Sequence, residues 1–188
     1  MENKDGKELC RCTWCNLKNI KYLEYHDNEW GVPEYEDHSL FELLILESFQ
    51  AGLSWEYVLN KRERFRKVFD DFDIEKICNY KEDKIQILME DSGIIRNRRK
   101  IEAAINNARI FRLIQNEYQS FSNYIWHFTD HKVVYEIGKA SSELSDQVSK
   151  DLKKRGMKFV GTTIIYAYLQ AIGVIYSHDE GCFLYKKG

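Results

Sequence analysis

Cys12 and His26 stand near one end of this 188-residue chain, and His178 and Cys182 stand near the other. A sulfur and an imidazole from each end make the donor set of a closed tetrahedral Zn²⁺ site, so a fold that uses all four must bring its own termini together. The His-x3-Cys spacing of the second pair sets both side chains on one face of a helical turn. Thirteen residues separate the first pair, and only tertiary folding joins them. Cys10 and Cys15 compete for the role: Cys12-x2-Cys15 is itself a zinc-like spacing, which leaves two candidate N-terminal partners for the His178/Cys182 arm. The plainer alternative is five reduced cysteines and a surface histidine.

A chain of this length fits one domain, or one domain with a small subdomain, and can bury a core without disulfide staples. The odd cysteine count, and a charged stretch from Met1 to Arg11 with no apolar segment, point to a reducing, cytoplasmic setting. Phe159 to Ser177 is the one long run without charge. Gly161, Thr162, Thr163, Gln170 and Gly173 interrupt it, so a buried core helix is expected there and no membrane span. Net charge is only −2, which implies no whole-molecule attraction to a polyanion. The basic residues instead concentrate in Lys61 to Lys67, Arg96 to Lys100 and Lys153 to Lys158. Runs of this kind are commonly solvated helix faces.

With a single proline and amphipathic spacing from Ser39 onward, the sequence predicts an all-α architecture. Helices are expected over 39–51, 54–69, 73–79, 81–91, 97–116, 120–128, 143–155 and 161–175, with Ser39, Ser54, Asp73 and Ser120 as N-caps. Strand alternation is scarce. The first 35 residues are rich in Cys, Tyr and Trp and read as irregular, a segment that needs an anchor such as the metal.

Glu90-Asp91-Ser92-Gly93-Ile94-Ile95-Arg96 falls between two of these helices. A glycine in a tight turn between antiparallel helices, with apolar residues packing beneath it, has the shape of a helix-hairpin-helix. Hairpin amides and the start of the second helix then hold DNA phosphates without reading sequence. Arg96, Arg98, Arg99 and Lys100 would add counterion-releasing contacts. An ordinary helix–helix connection is the competing interpretation.

The helix from Leu40 to Ala51 is apolar nearly all round yet contains Glu42 and Glu47, so at least one carboxyl is expected to be buried. Periodicity does not choose between them. A buried glutamate satisfied by a backbone amide or a tyrosine hydroxyl is the ordinary structural outcome. Gln50-Ala51-Gly52-Leu53-Ser54-Trp55 follows, a corner that exposes an apolar tip and offers the Trp55 face to a planar ligand. Trp14, Tyr22, Tyr25 and Trp30 crowd the N-terminal segment; aromatic clusters are usually core, but beside a carboxylate they also suit a flat cation.

Arg11-Cys12-Thr13-Trp14, Tyr25-His26-Asp27-Asn28-Glu29-Trp30-Gly31-Val32-Pro33, Glu47 with Gln50 to Trp55, Gly93 to Arg96, Lys153 to Gly156, Phe159 to Thr163 and His178 to Cys182 together resemble the 3-methyladenine DNA glycosylase I (Tag) family, of the helix-hairpin-helix glycosylase superfamily. The resemblance runs in order over nearly the whole chain. It implies an all-α, helix-hairpin-helix DNA glycosylase fold in a single unit spanning 1–188, with segments 1–35 and 176–188 pinned onto the helical core by zinc. It makes Cys12, His26, His178 and Cys182 the ligands of one structural Zn²⁺, and leaves Cys10 and Cys15 as bystanders. It picks Glu47 over Glu42 as the carboxylate of the base pocket, with Tyr25 bonding the flipped base, Trp55 stacking on it, and Trp14 and Tyr22 lining the pocket. Gly52 and Leu53 would fill the gap left in the duplex, and Gly93, Ile94 and Arg96 would hold DNA. Departures are an N-terminal extension of about eight residues, Thr13 where glycine is usual, and Ser48-Phe49 where the family can have Gly-Gln.

The implied activity is monofunctional hydrolytic release of N3-methyladenine by a cytoplasmic monomer acting on double-stranded DNA that contains an alkylated purine. No lysine in the pocket segments is placed by motif for a Schiff base, and no catalytic aspartate is evident between Ile101 and Glu117. A non-catalytic, zinc-stabilised helix-hairpin-helix DNA-binding protein is the alternative, and a zinc hydrolase using Glu47 as base is a third.

Overall fold

Helix α2 (Asp37–Gln50) is buried without a break from Leu40 to Phe49, as a helix apolar on every side must be, and the other elements are arranged around it. A computed structural model describes residues 9–187, so the expected N-terminal extension lies outside the described residues. Against α2 pack α3 (Trp55–Val68), α6 (Arg98–Tyr118), α7 (Phe121–His127) and α9 (Thr162–Ala171). Helices α4 (Ile74–Cys78) and α5 (Glu82–Glu90) lie on α6, α8 (Glu143–Lys154) lies on α9, and α1 (Ile20–Asn28) lies on α3. Phe41, Phe111 and Phe121 join α2, α6 and α7 through an edge contact of 5.1 Å and a stacked pair at 3.9 Å. No helix among the described residues is long and apolar enough to cross a membrane.

Ser54, Asp73 and Ser120 cap helices as their sequence positions predict, accepting from the amides of Tyr57, Lys76 and Asn123. Ser39 does not. Helix α2 begins two residues earlier, and Asp37 faces away to accept from the amides of Phe121 and Ser122, both at 2.8 Å, at the start of α7. The N-terminal segment is also more regular than expected. Helix α1 escapes an aliphatic periodicity test because its buried stripe is Tyr22, Tyr25 and His26, spaced i, i+3, i+4.

The last expected helix stops at Ala171, four residues early. Gly173 takes φ +70°, and Ile175–Tyr176 then forms β2, paired in parallel with β1 (Val134–Tyr135). Two-residue strands are too short to produce a readable alternation. Gly31 N–H donates to Gln170 O and Glu34 N–H to Ile172 O, which lays the Gly31–Glu34 backbone against the end of α9. A Cβ at Gly173 would sit 2.4 Å from Val32 C and Pro33 N. Gly173→Ala therefore combines a left-handed φ with a backbone clash, and is expected to destabilise by about 3 kcal/mol or more. A urea midpoint within experimental error of the wild type would refute this account of the turn.

Candidate active site

Glu47 lies in the last turn of α2 on the wall of a cavity of about 280 Å³, with Trp14, Tyr22, Tyr25, Trp30 and Trp55 around it. It is 3% exposed, and its Oε2 has no hydrogen-bond partner among the described residues. Burial pushes its pKa up to about 8, so the acid is largely protonated at neutral pH. Glu42, five residues earlier and equally buried, is neutralised: Arg62 reaches it at 2.5 Å and Arg66 at 2.9 Å. The fold thus separates the two carboxyls that periodicity could not. One is locked between guanidiniums, and the other has no ion pair among the described residues and stands beside open space.

The aromatic walls come from three elements. Helix α1 contributes Tyr22 and Tyr25, and Tyr25 is so deeply buried that its phenol is held well above the ordinary range, which keeps it a proton donor. Trp55 opens α3 with its ring 5.3 Å from that of Tyr25, and its indole Nε1 is unpartnered among the described residues. Trp14 packs on Tyr22 at 5.3 Å and on Trp30 at 4.8 Å. At the corner between α2 and α3, Gly52 takes φ +80° and Leu53 stands 40% exposed.

Cys12, His26, His178 and Cys182 are all buried, and their donor atoms lie within 4.8 Å of one another. The separations fit a tetrahedron. Cys12 Sγ to His178 Nδ1 is 3.4 Å, Cys182 Sγ to His26 Nε2 is 3.5 Å, and Cys182 Sγ to His178 Nδ1 is 3.6 Å. Bonds of about 2.3 Å to sulfur and about 2.0 Å to nitrogen give tetrahedral edges of about 3.5 Å. Each imidazole uses its other nitrogen on an oxygen: His26 Nδ1–H donates to Asp27 at 2.8 Å, and His178 Nε2–H to Trp30 O at 3.3 Å. That arrangement fixes the tautomer a metal ligand needs. Burial drives the His178 pKa down to about 4, so the ring is neutral, and the amides of Asp179 and Leu184 donate to the two sulfurs. The group can hold a metal ion. Its His178/Cys182 arm is a non-helical turn closed by Cys182 N–H to Asp179 O, so the expected helical turn is absent and the spacing works through the turn. Cys15 is buried outside the group, and Cys10 is exposed.

The methyladenine glycosylase family model matches residues 14–185. The chain belongs to that family. DNA-3-methyladenine glycosylase 1 of Escherichia coli (strain K12) is 44% identical over 181 residues, covering 93% of this chain and 96% of that protein. A crystal structure of 3-methyladenine DNA glycosylase I (TAG) superposes with a TM-score of 0.90 at 43% identity, covering 94% of this chain and 100% of that one. The Staphylococcus aureus enzyme, in a structure of 3-methyladenine recognition, reaches a TM-score of 0.89 at 35% identity, with coverage of 95% and 97%.

In this methyladenine glycosylase family member the expected basic run after the hairpin is only half available. Arg98 is paired with Glu82 at 2.5 Å and with Glu102 at 3.4 Å. Lys100 is buried, and its ammonium donates to Phe49 O and Ala51 O at 2.8 and 2.7 Å. A cation at the C-terminus of α2 satisfies orphaned carbonyls and opposes the negative end of the helix dipole. Neither residue is free for phosphate as expected. Arg96 and Arg99 are exposed and carry no ion pair among the described residues. The hairpin turn itself is braced: Gly93 N–H donates to Asp91 Oδ1 at 2.8 Å, Arg64 pairs with Asp91, and Lys61 donates to Ser92 O and Gly93 O. Ile94 is buried beneath it. The cavity also includes Gln50, Gly138, Lys139, Ala167, Gln170, Ser177 and Asp179. Ser177 and Asp179 flank His178 in sequence, which was the available signal; the turn at Gly138 and Lys139 had none.

Proposed function

We propose that this protein is a monofunctional DNA glycosylase that extrudes N3-methyladenine from double-stranded DNA into the Glu47 cavity and hydrolyses its bond to the sugar. The observation that carries the reading is an unpartnered carboxyl buried among aromatic faces. Methylation at N3 makes the nucleotide cationic, weakens its bond to deoxyribose and distinguishes it from neutral adenine. A cation entering the cavity favours the ionised form of Glu47, which then releases its proton. At about 4 Å and an effective dielectric of 20 the resulting attraction is about 4 kcal/mol before desolvation is subtracted. Stacking on Trp55 adds about 1 to 3 kcal/mol for any base, so charge discriminates and stacking holds.

Tyr25 donates to the base, while Trp14 and Tyr22 complete the slot. Leu53, lifted at the Gly52 corner, fills the space the base leaves, offsetting part of an extrusion cost of a few kcal/mol. Helices α5 and α6 act as a helix-hairpin-helix: the turn at Gly93 and Ile94, with Arg96, meets the phosphate backbone without reading sequence. Because the base departs neutral, no strong general acid is required, and the pocket need only favour the cation and the oxocarbenium-like sugar. One Zn²⁺ held by Cys12, His26, His178 and Cys182 is structural. Four protein ligands leave no open position, so its contribution is to pin residues 9–35 and 176–187 to the helices of a single, monomeric, cytoplasmic unit. The test is base release from dimethyl-sulfate-treated duplex DNA. Selective release of 3-methyladenine over 7-methylguanine is expected, and a folded protein that binds this DNA without releasing base would overturn the reading in favour of a non-catalytic binding protein.

A further inference from the structure

Asp179 stands on the cavity wall with Trp14, although it follows a residue of the Cys/His group. Thr13 donates to it twice, from its amide at 2.7 Å and from its hydroxyl at 3.0 Å, and both bonds fall on Oδ2. Asp179 N–H in turn donates to Cys12 Sγ at 3.3 Å. The carboxylate is therefore held through Oδ2 by the opposite end of the chain, and Oδ1 takes no hydrogen bond among the described residues. We propose that Asp179, oriented by Thr13, is a specificity-determining residue of the base pocket whose carboxylate favours a cationic alkylated nucleotide over its neutral parent.

The need for such a group follows from Glu47. A carboxyl with a pKa of about 8 shows little net charge to an arriving ligand at neutral pH, and it ionises only once a cation is already in place. A second carboxylate at the wall attracts the cation before that exchange. Lys139 shares the wall and would oppose it, but Glu136 takes its ammonium at 3.2 Å. The inference rests on the glycosylase reading above and deepens it. It also assigns a task to Thr13, where the sequence departs from the family pattern.

Asp179→Asn keeps an acceptor for Thr13 and removes the charge. The experiment compares it with the wild type in kcat/KM for 3-methyladenine release from alkylated duplex, in the Kd of free, uncharged 3-methyladenine read by quenching of the cavity tryptophans, and in bound metal. The expected result is a fall in kcat/KM of about tenfold at low salt, shrinking as salt is added, with free-base affinity and metal content unchanged. Thr13→Val, which removes only the hydroxyl, should show a smaller loss of the same kind. Equal weakening toward the uncharged base, or loss of metal, would make Asp179 a structural residue and overturn the inference. A wild type that releases no base overturns the glycosylase reading and this inference with it, whereas an active wild type matched by Asp179→Asn overturns this inference alone.

Discussion

Glu47→Gln is expected to lower 3-methyladenine release by about two to three orders of magnitude, the usual consequence of losing one group aimed at transition-state charge, while making the protein more stable at neutral and alkaline pH. The second effect follows from linkage. In the unfolded chain this glutamate ionises near 4.5, and in the folded protein burial raises that value to about 8. Between the two values the folded state holds a proton that the unfolded state has released, so stability falls as pH rises through the window and levels off above it. The full deficit is on the order of a few kcal/mol by pH 8. Glutamine removes the titration. It carries its own desolvation cost, but that cost does not vary with pH. The gap in melting temperature between variant and wild type should therefore widen by about 5 to 10 °C from pH 5 to pH 8. A constant gap would show that Glu47 does not titrate in this window, and full activity in the variant would remove it from the recognition of charge.

Cys182→Ser should release the metal and lower the melting temperature by at least about 10 °C, because binding energy at such a site is folding energy. Burial first, and the neighbouring Cys182 after it, drive the Cys12 thiol up to about 12, so without a cation the four buried donors are a cost, whereas a divalent ion reverses the preference and draws off the thiol protons. Metal affinity should accordingly rise with pH. The same change should depress base release, since Trp14, Ser177 and Asp179 reach the cavity from the two segments the group joins. Cys10→Ser, at an exposed site outside the group, serves as the control and should change neither property. A Cys182→Ser protein that retains one equivalent of zinc and an unchanged melting temperature would sink the assignment.

The helical core was legible because its residues obey the 3.6-residue period: α3, α5, α6 and α8 fall where apolar spacing puts them, and three of four expected caps bond as predicted. The unread portions share one cause, which is that their structure is set by partners distant in sequence. Helix α1 buries tyrosines and a histidine rather than aliphatic residues. The β1–β2 pair joins two dipeptides forty residues apart and leaves no local pattern. At the site, residue types announced the aromatic cavity and the Cys/His group, but the choice between Glu42 and Glu47 depends on Arg62 and Arg66, which no spacing rule connects to α2. Lys100 was misread for a related reason. A lysine in a basic run looks solvated, and only the fold brings the carbonyls of Phe49 and Ala51 to it.

That buried ammonium has a mechanical consequence. It belongs to the first turn of α6, just past the turn at Gly93, yet it grips the backbone at the end of α2, two residues before Leu53. The turn proposed to meet phosphate and the corner proposed to enter the base stack are therefore tied to each other by one buried side chain. On that proposal a duplex whose stacking is intact would resist so rigid a pair, and one weakened at a damaged step would yield to it.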